Sequence, residues 1–309
     1  MTEPTLRIAG TGSPDVPDVP EARDVPGTPD VPFVPARPRR SGGRTPVQWL
    51  GHNALRLYGL LAFLYLFAPI AYVTVFSFND GGRTNIIWNG FTLKNWANPC
   101  GAPDICASVQ NSLMIGVIST VVATVLGTMV AFALARHRFR GRTAINLLIF
   151  LPMATPEVVM AASLLTLFLN LGGVFSLGYT TIIIAHVMFC ISFVIVAVKA
   201  RIQSLDPRLE QAAMDLYASE TQTFLRVTLP LLAPGIAGAA LLAFSLSFDD
   251  YIITSFNRGS VNTFPTFVYT AAQRGIPAQA YIIGAAMFYL ALLVVLIGDV
   301  ARRRVAIRR

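Results

Sequence analysis

Three carboxylates and one short polar segment are the parts of this chain best suited to chemistry. Glu157 is the only charge between Arg142 and Lys199, an interval long enough for two membrane helices. A charge at mid-bilayer costs roughly 2.5–3.5 kcal/mol on insertion scales, so it faces a cavity or pathway, or pairs with a polar group inside the bundle. At about 1.5 Å per residue, Glu157 falls near the middle of its span, in a helix kinked by Pro152 and Pro156. Asp249 and Asp250 close a later apolar run, where they attract cations or mark the water interface. Tyr251, directly after them, offers a cation–π face or plain packing. Three acids with few bases nearby suit a cationic solute.

The polar segment reads LEQAAMDLYAS, from Leu209 to Ser219. Asp206 and Pro207 form a helix start, with Asp as the N-cap and Pro at the first helical position. Leu209, Ala212, Ala213 and Leu216 then share one face at helical spacing. Ser219 and Gln222 form a capping-box pattern for a second helix. The expected product is a helical elbow with small residues facing outward. It suits a groove on another protein, or lies on the membrane surface.

These residues are held by an all-α, polytopic membrane architecture. Hydrophobic residues make up 54% of the chain and charged residues only 13%, against about a quarter in soluble domains. Six apolar runs are long enough to span. They cover about 57–78, 110–135, two helices between 142 and 199, 231–247 and 278–298. Gly172, Gly173 and Gly178 mark the turn between the third and fourth.

The net charge of +8 follows topology rather than nucleic acid. One set of segments carries Arg37, Arg39, Arg40, Arg44 and Arg56, then Arg136, Arg138, Arg140 and Arg142. Lys199, Arg201, Arg208, Arg226 and the tail RRRVAIRR belong to the same set. The opposite set holds only Arg83, Lys94, Arg258 and Arg274, so both termini are expected in the cytoplasm.

Residues 1–50 repeat Asp-Val-Pro at Asp15, Asp18, Asp24 and Asp30, and read as a disordered Pro-rich cytoplasmic tail. This tail has no apolar core like that of a signal peptide, so the first span is expected to stay as an anchor. Residues 51–303 form the membrane domain and 304–309 a basic tail. Cys100 and Cys106 fall in an outer loop, as a small disulfide loop or as two free thiols, and Cys190 reads as packing.

Lys94 and Lys199 are the only lysines, and neither follows a Gly, so the chain has no phosphate-cradling P-loop. His52, His137 and His186 are scattered, with no zinc motif and no catalytic constellation, so the chain is expected not to be an enzyme.

The ordered motifs SFND, WNGFTLKNW, LPMATPEVVMAASLLTLF, DPRLEQAAMDLYASE, TLPLLAPGIAGAALLAF and SFDDYIITSFNRG resemble a known family. They are similar to ABC importer permeases, specifically the second permease subunit of spermidine/putrescine importers, over about Leu57 to Arg303. The resemblance implies a type I importer permease in the bacterial inner membrane. Its elbow, carried by Leu209, Glu210, Gln211, Ala212, Ala213, Asp215, Leu216 and Tyr217, is the coupling segment. It also implies no cofactor bound by this chain, with ATP and Mg on two separate ATP-binding subunits. A second, different permease and an extracytoplasmic binding protein would complete the complex. Glu157, Asp249, Asp250 and Tyr251 are then candidates for the path of a polyamine.

Two positions depart from the family pattern. The usual Glu falls at Gln211, with Glu210 before it, and the usual Gly falls at Tyr217, so the elbow is expected to differ in shape. Related permeases carry other cargo, such as aminophosphonates, metal ions or organic anions. A proton-coupled secondary transporter with Glu157 as relay is the alternative from another class.

Overall fold

The computed structural model describes residues 46–81, 85–171 and 173–307, with side chains described between 54 and 298. The Asp-Val-Pro tail, Arg83, Gly172 and the last two arginines lie outside the described residues. The chain divides into residues 1–58 and 59–309. Within the first unit, the described residues are helical from Pro46 onward.

In chain order the helices are α1 (Pro46–Phe76), α2 (Lys94–Ala97), α3 (Ile105–Arg136), α4 (Arg142–Ala154), α5 (Glu157–Asn170) and α6 (Tyr179–Gln203). Next come α7 (Arg208–Asp215), α8 (Glu220–Thr223), a π-turn (Phe224–Thr228) and α9 (Leu229–Phe248). The chain ends with α10 (Ile252–Asn257), α11 (Phe264–Arg274) and α12 (Ala278–Ile307).

Among the described residues, five helical stretches are long and apolar enough to cross a bilayer: Ala54–Phe76, Ile105–Arg136, Tyr179–Gln203, Glu220–Phe248 and Ala278–Gly298. With the bent pair α4 and α5 taken as one span the count reaches the expected six, and the expected kink in the third span is a sharp corner. The two helices meet there at 106°. The cause lies in the two residues at the break. Pro156 has no N–H to continue the ladder, and its ring drives the preceding Thr155 into extended backbone (ψ 134°). Thr155 offsets part of the loss by donating both its N–H and its hydroxyl to Leu151 O, at 2.9 and 2.7 Å.

The core is the junction of α3, α6 and α9. A stripe of small residues on α3, Gly116, Ser119, Ala123, Gly127 and Ala131, is buried at helical spacing. Small residues let helix backbones approach in lipid, where no hydrophobic force draws them together. A Cβ at Gly127 would sit 2.7 Å from a Val194 methyl, so this α3–α6 seam admits only glycine without movement. A second cluster joins Met160, Ala161, Leu164 and Phe168 of α5 to Ala185 of α6 and Ile253 of α10.

Ahead of α9 the ladder widens into the π-turn, and Pro230 stands just inside α9. A proline at that point removes an N–H and crowds the preceding turn, which the wider ring accommodates.

Candidate functional site

The break in the third span places Glu157 at the first residue of α5, beside a helix N-terminus that favours a carboxylate. This replaces the expected mid-helix position: the half-buried Glu157 sits at the corner between α4 and α5, not on a continuous cylinder. Its carboxyl faces that of Asp250 and lies near Asp249. Two facing carboxylates repel unless a cation or a proton lies between them. Asp249 is exposed at the end of α9, whereas the side chain of Asp250 is 2% exposed. Tyr251 is half-buried and packs against Tyr269, with ring centroids 4.4 Å apart.

Asp250 is tied inward by protein donors. Its Oδ1 accepts from Ile253 N at 3.3 Å, and its Oδ2 from Thr254 N and Oγ1 at 2.8 and 2.9 Å. His186 of α6 reaches the same oxygen, Nε2 to Oδ2, at 3.2 Å. In the sequence this histidine looks like one of three scattered ones. The available signal was an ionisable side chain inside an apolar span, which in a membrane marks a paired or functional group. Among the described residues no group of His, Cys, Asp and Glu is arranged to hold a metal ion.

The elbow forms as α7 and α8. Asp206 caps it one residue outside the expected frame: helical structure begins at Arg208, whose N–H donates to Asp206 Oδ1 at 3.0 Å. The Ser219–Gln222 capping box is present in both directions, at 3.2 and 3.3 Å. Leu209, Ala212 and Leu216 are exposed and Ala213 is half-buried, so an apolar face of small and medium residues points outward.

Tyr217 takes the left-handed backbone (φ 63°) that glycine usually supplies, so the helix ending is kept rather than reshaped. Tyr217 N donates to Met214 O at 2.9 Å and Ala218 N to Ala213 O at 3.1 Å, the paired bonds of a Schellman ending. A non-glycine residue there carries a cost of about 1 kcal/mol, and the ring is 98% exposed with little packing to offset it. Tyr217→Gly is expected to raise the melting temperature of the purified protein by about 2 °C, measured in one detergent.

Gln211 is exposed, and the acid beside it does the clasping. Glu210 Oε1 accepts from Arg136 Nη2 and from Thr228 Oγ1, both at 3.0 Å, joining α7 to the end of α3 and to the π-turn. Bonds to a charged group contribute about 1.5–3 kcal/mol. Glu210→Ala is expected to lower uptake several-fold at equal protein level. Glu210→Gln, which keeps an acceptor oxygen, is expected to retain most of it. Wild-type uptake by Glu210→Ala would dissociate the clasp from transport.

Residues 123–308 match the family described as binding-protein-dependent transport system inner membrane component. The chain belongs to this family. The permease is 35% identical over 242 residues to the spermidine/putrescine transport system permease protein PotC of Escherichia coli (strain K12), covering 78% of this chain and 90% of that one. It is 35% identical over 223 residues to the putrescine transport system permease protein PotI of the same organism, covering 70% and 79%. Its fold is similar to a chain of a bacterial ABC transporter involved in the import of the acidic polysaccharide alginate. That match has a TM-score of 0.62 and 16% identity, and covers 84% of this chain and 98% of the other. The protein is a multi-pass inner-membrane permease of an ABC importer; it is the membrane component and not the ATPase.

The permease brings the first two sequence motifs together. Asn79 Oδ1 accepts from the backbone N–H of Asn89 and Gly90, at 2.8 and 3.3 Å, and Phe78 stacks on both Phe91 and Trp96. Those residues build a loop platform rather than a charged site. Cys100 and Cys106 are joined by a disulfide with Cα atoms 5.4 Å apart, and Cys190 is a free, buried thiol in the core.

Proposed function

We propose that this permease forms one half of the pore of an ATP-driven polyamine importer, with Glu157 and Asp249 facing the cargo and Asp250 behind them. The observation that carries this reading is the meeting of three acids at the broken third span. A path for an anion would need basic residues at that depth, and Arg142 and Lys199 stand at the ends of the interval instead. The names of the two Escherichia coli relatives point to the same cargo class. Tyr251 stands next to the acids and adds an aromatic wall.

The complex is completed by two ATP-binding subunits, a second and different permease, and an extracytoplasmic binding protein that delivers the cargo. ATP and Mg are bound on the ATP-binding subunits, and the elbow from Leu209 to Tyr217 docks on one of them. The arginine distribution supports cytoplasmic placement of both termini, with the Cys100–Cys106 loop outside. Residues 1–50 and 304–309 are tails to a membrane domain of 51–303.

The test is uptake of labelled spermidine and putrescine by cells with and without this gene, the other subunits being present throughout. Gene-dependent uptake of either supports the reading. Its absence would sink the polyamine assignment and turn the search to aminophosphonates and small inorganic cations.

A further inference from the structure

We propose that His186 is a positioning residue for the cargo path. It fixes Asp250 behind Glu157, so that the acid pair presents its charge to a cation without Asp250 itself binding one. This rests on the polyamine reading and adds a residue to it.

The hydrogen-bond arithmetic assigns the protons. The Thr254 hydroxyl donates its single proton to Asp250 Oδ2 at 2.9 Å. Thr254 Oγ1 also lies 2.9 Å from His186 Nε2, and towards the ring it has only a lone pair left to offer. Nε2 therefore carries the proton, and shares it between Thr254 Oγ1 and Asp250 Oδ2. Nδ1 lies 2.7 Å from Ser247 Oγ, which donates to a neutral ring and accepts from a charged one. The imidazole is thus held in one orientation by contacts on both nitrogens, and its ring is 2% exposed.

Oδ2 of Asp250 receives three protein donors and Oδ1 one. With three donors on Oδ2 and its side chain shut from solvent, Asp250 acts on the path through its charge. Glu157, half-buried at the start of α5, and the exposed Asp249 are the acids of the cluster that solvent reaches. His186 stands on α6 and bonds to the end of α9 and to α10, so the placement of Asp250 depends on how these three elements sit together.

The experiment measures spermidine uptake kinetics for wild type and for His186→Leu, His186→Gln, His186→Asn, Asp250→Asn and the His186→Leu/Asp250→Asn double variant, at matched membrane levels. Gln carries an N–H near the Nε2 position and Asn does not. The expected result is a KM raised about tenfold by Leu and by Asn, with kcat changed much less and Gln close to wild type. The double variant should be no worse than Asp250→Asn alone, since the histidine would have nothing left to place.

A Leu variant that loses kcat at unchanged KM, or whose penalty adds in full to that of Asp250→Asn, would overturn the proposal. If the Leu variants do not assemble, the Gln and Asn variants decide, and equal behaviour of those two overturns it as well. Wild-type protein that moves neither spermidine nor putrescine removes the cargo reading, and this one with it. Wild-type uptake with an unaltered KM in all His186 variants removes only this one.

Discussion

Tryptophan at Ala212 and Ala213 is expected to reduce uptake by at least about tenfold while the protein still reaches the membrane in normal amount. Ala212 is exposed and Ala213 half-buried on the outward face of α7, so bulk at Ala212 does little to the fold of the permease itself. What the new ring meets is the proposed groove of the ATP-binding subunit. Overpacking a close-fitting site typically costs about 1–3 kcal/mol, and about 1.4 kcal/mol is a tenfold loss of affinity. ATP hydrolysis by the assembled complex should lose its stimulation by loaded binding protein in parallel. Serine at the same two positions, close to alanine in volume, should leave uptake near normal. Unchanged uptake by the tryptophan variants would place the elbow on the membrane surface instead.

Glu157→Gln is expected to lower kcat/KM for spermidine by about tenfold or more, at equal expression. The substitution keeps shape and hydrogen-bonding capacity and removes one charge. Opposite unit charges roughly 4 Å apart attract by about 4 kcal/mol at an effective dielectric constant of about 20, so losing one of several acids leaves a measurable deficit. The deficit should shrink for a cargo with fewer amines, which gives an internal control: putrescine uptake should fall less than spermidine uptake. A variant with wild-type kinetics for both would place Glu157 off the path. The two experiments separate the ends of the machine. The tryptophans should act on energy input whatever the cargo, and the Glu157→Gln change on the cargo alone.

The spans, the elbow and its capping box were legible because each is written locally, in hydropathy, in helical spacing or in a Ser-x-x-Gln pattern. The break at Thr155–Pro156 was only half legible. Two prolines announced a kink, but hydropathy counts residues and does not register direction, so a 106° corner and a gentle bend look alike. Glu157 accordingly moved from mid-helix to a helix N-terminus. His186 was illegible for a different reason: its partners stand 61 to 68 residues away, and only the packing of α6 against α9 and α10 joins them. Tyr217 shows the reverse case. Residue preference argued for a changed elbow, yet two backbone hydrogen bonds of the helix ending hold the left-handed turn against it.

The π-turn between Phe224 and Thr228 has a consequence for how this protein can change over generations. A π-turn ring holds one residue more than the α-helical ladder requires. Loss of a single codon there can close the ring to an ordinary turn, with the helix on either side keeping its face and Pro230 crowding the tighter turn. The same loss inside Arg208–Asp215 would rotate every later side chain of that helix by about 100° and turn the proposed docking face away. Length is therefore negotiable at one end of this segment and fixed at the other.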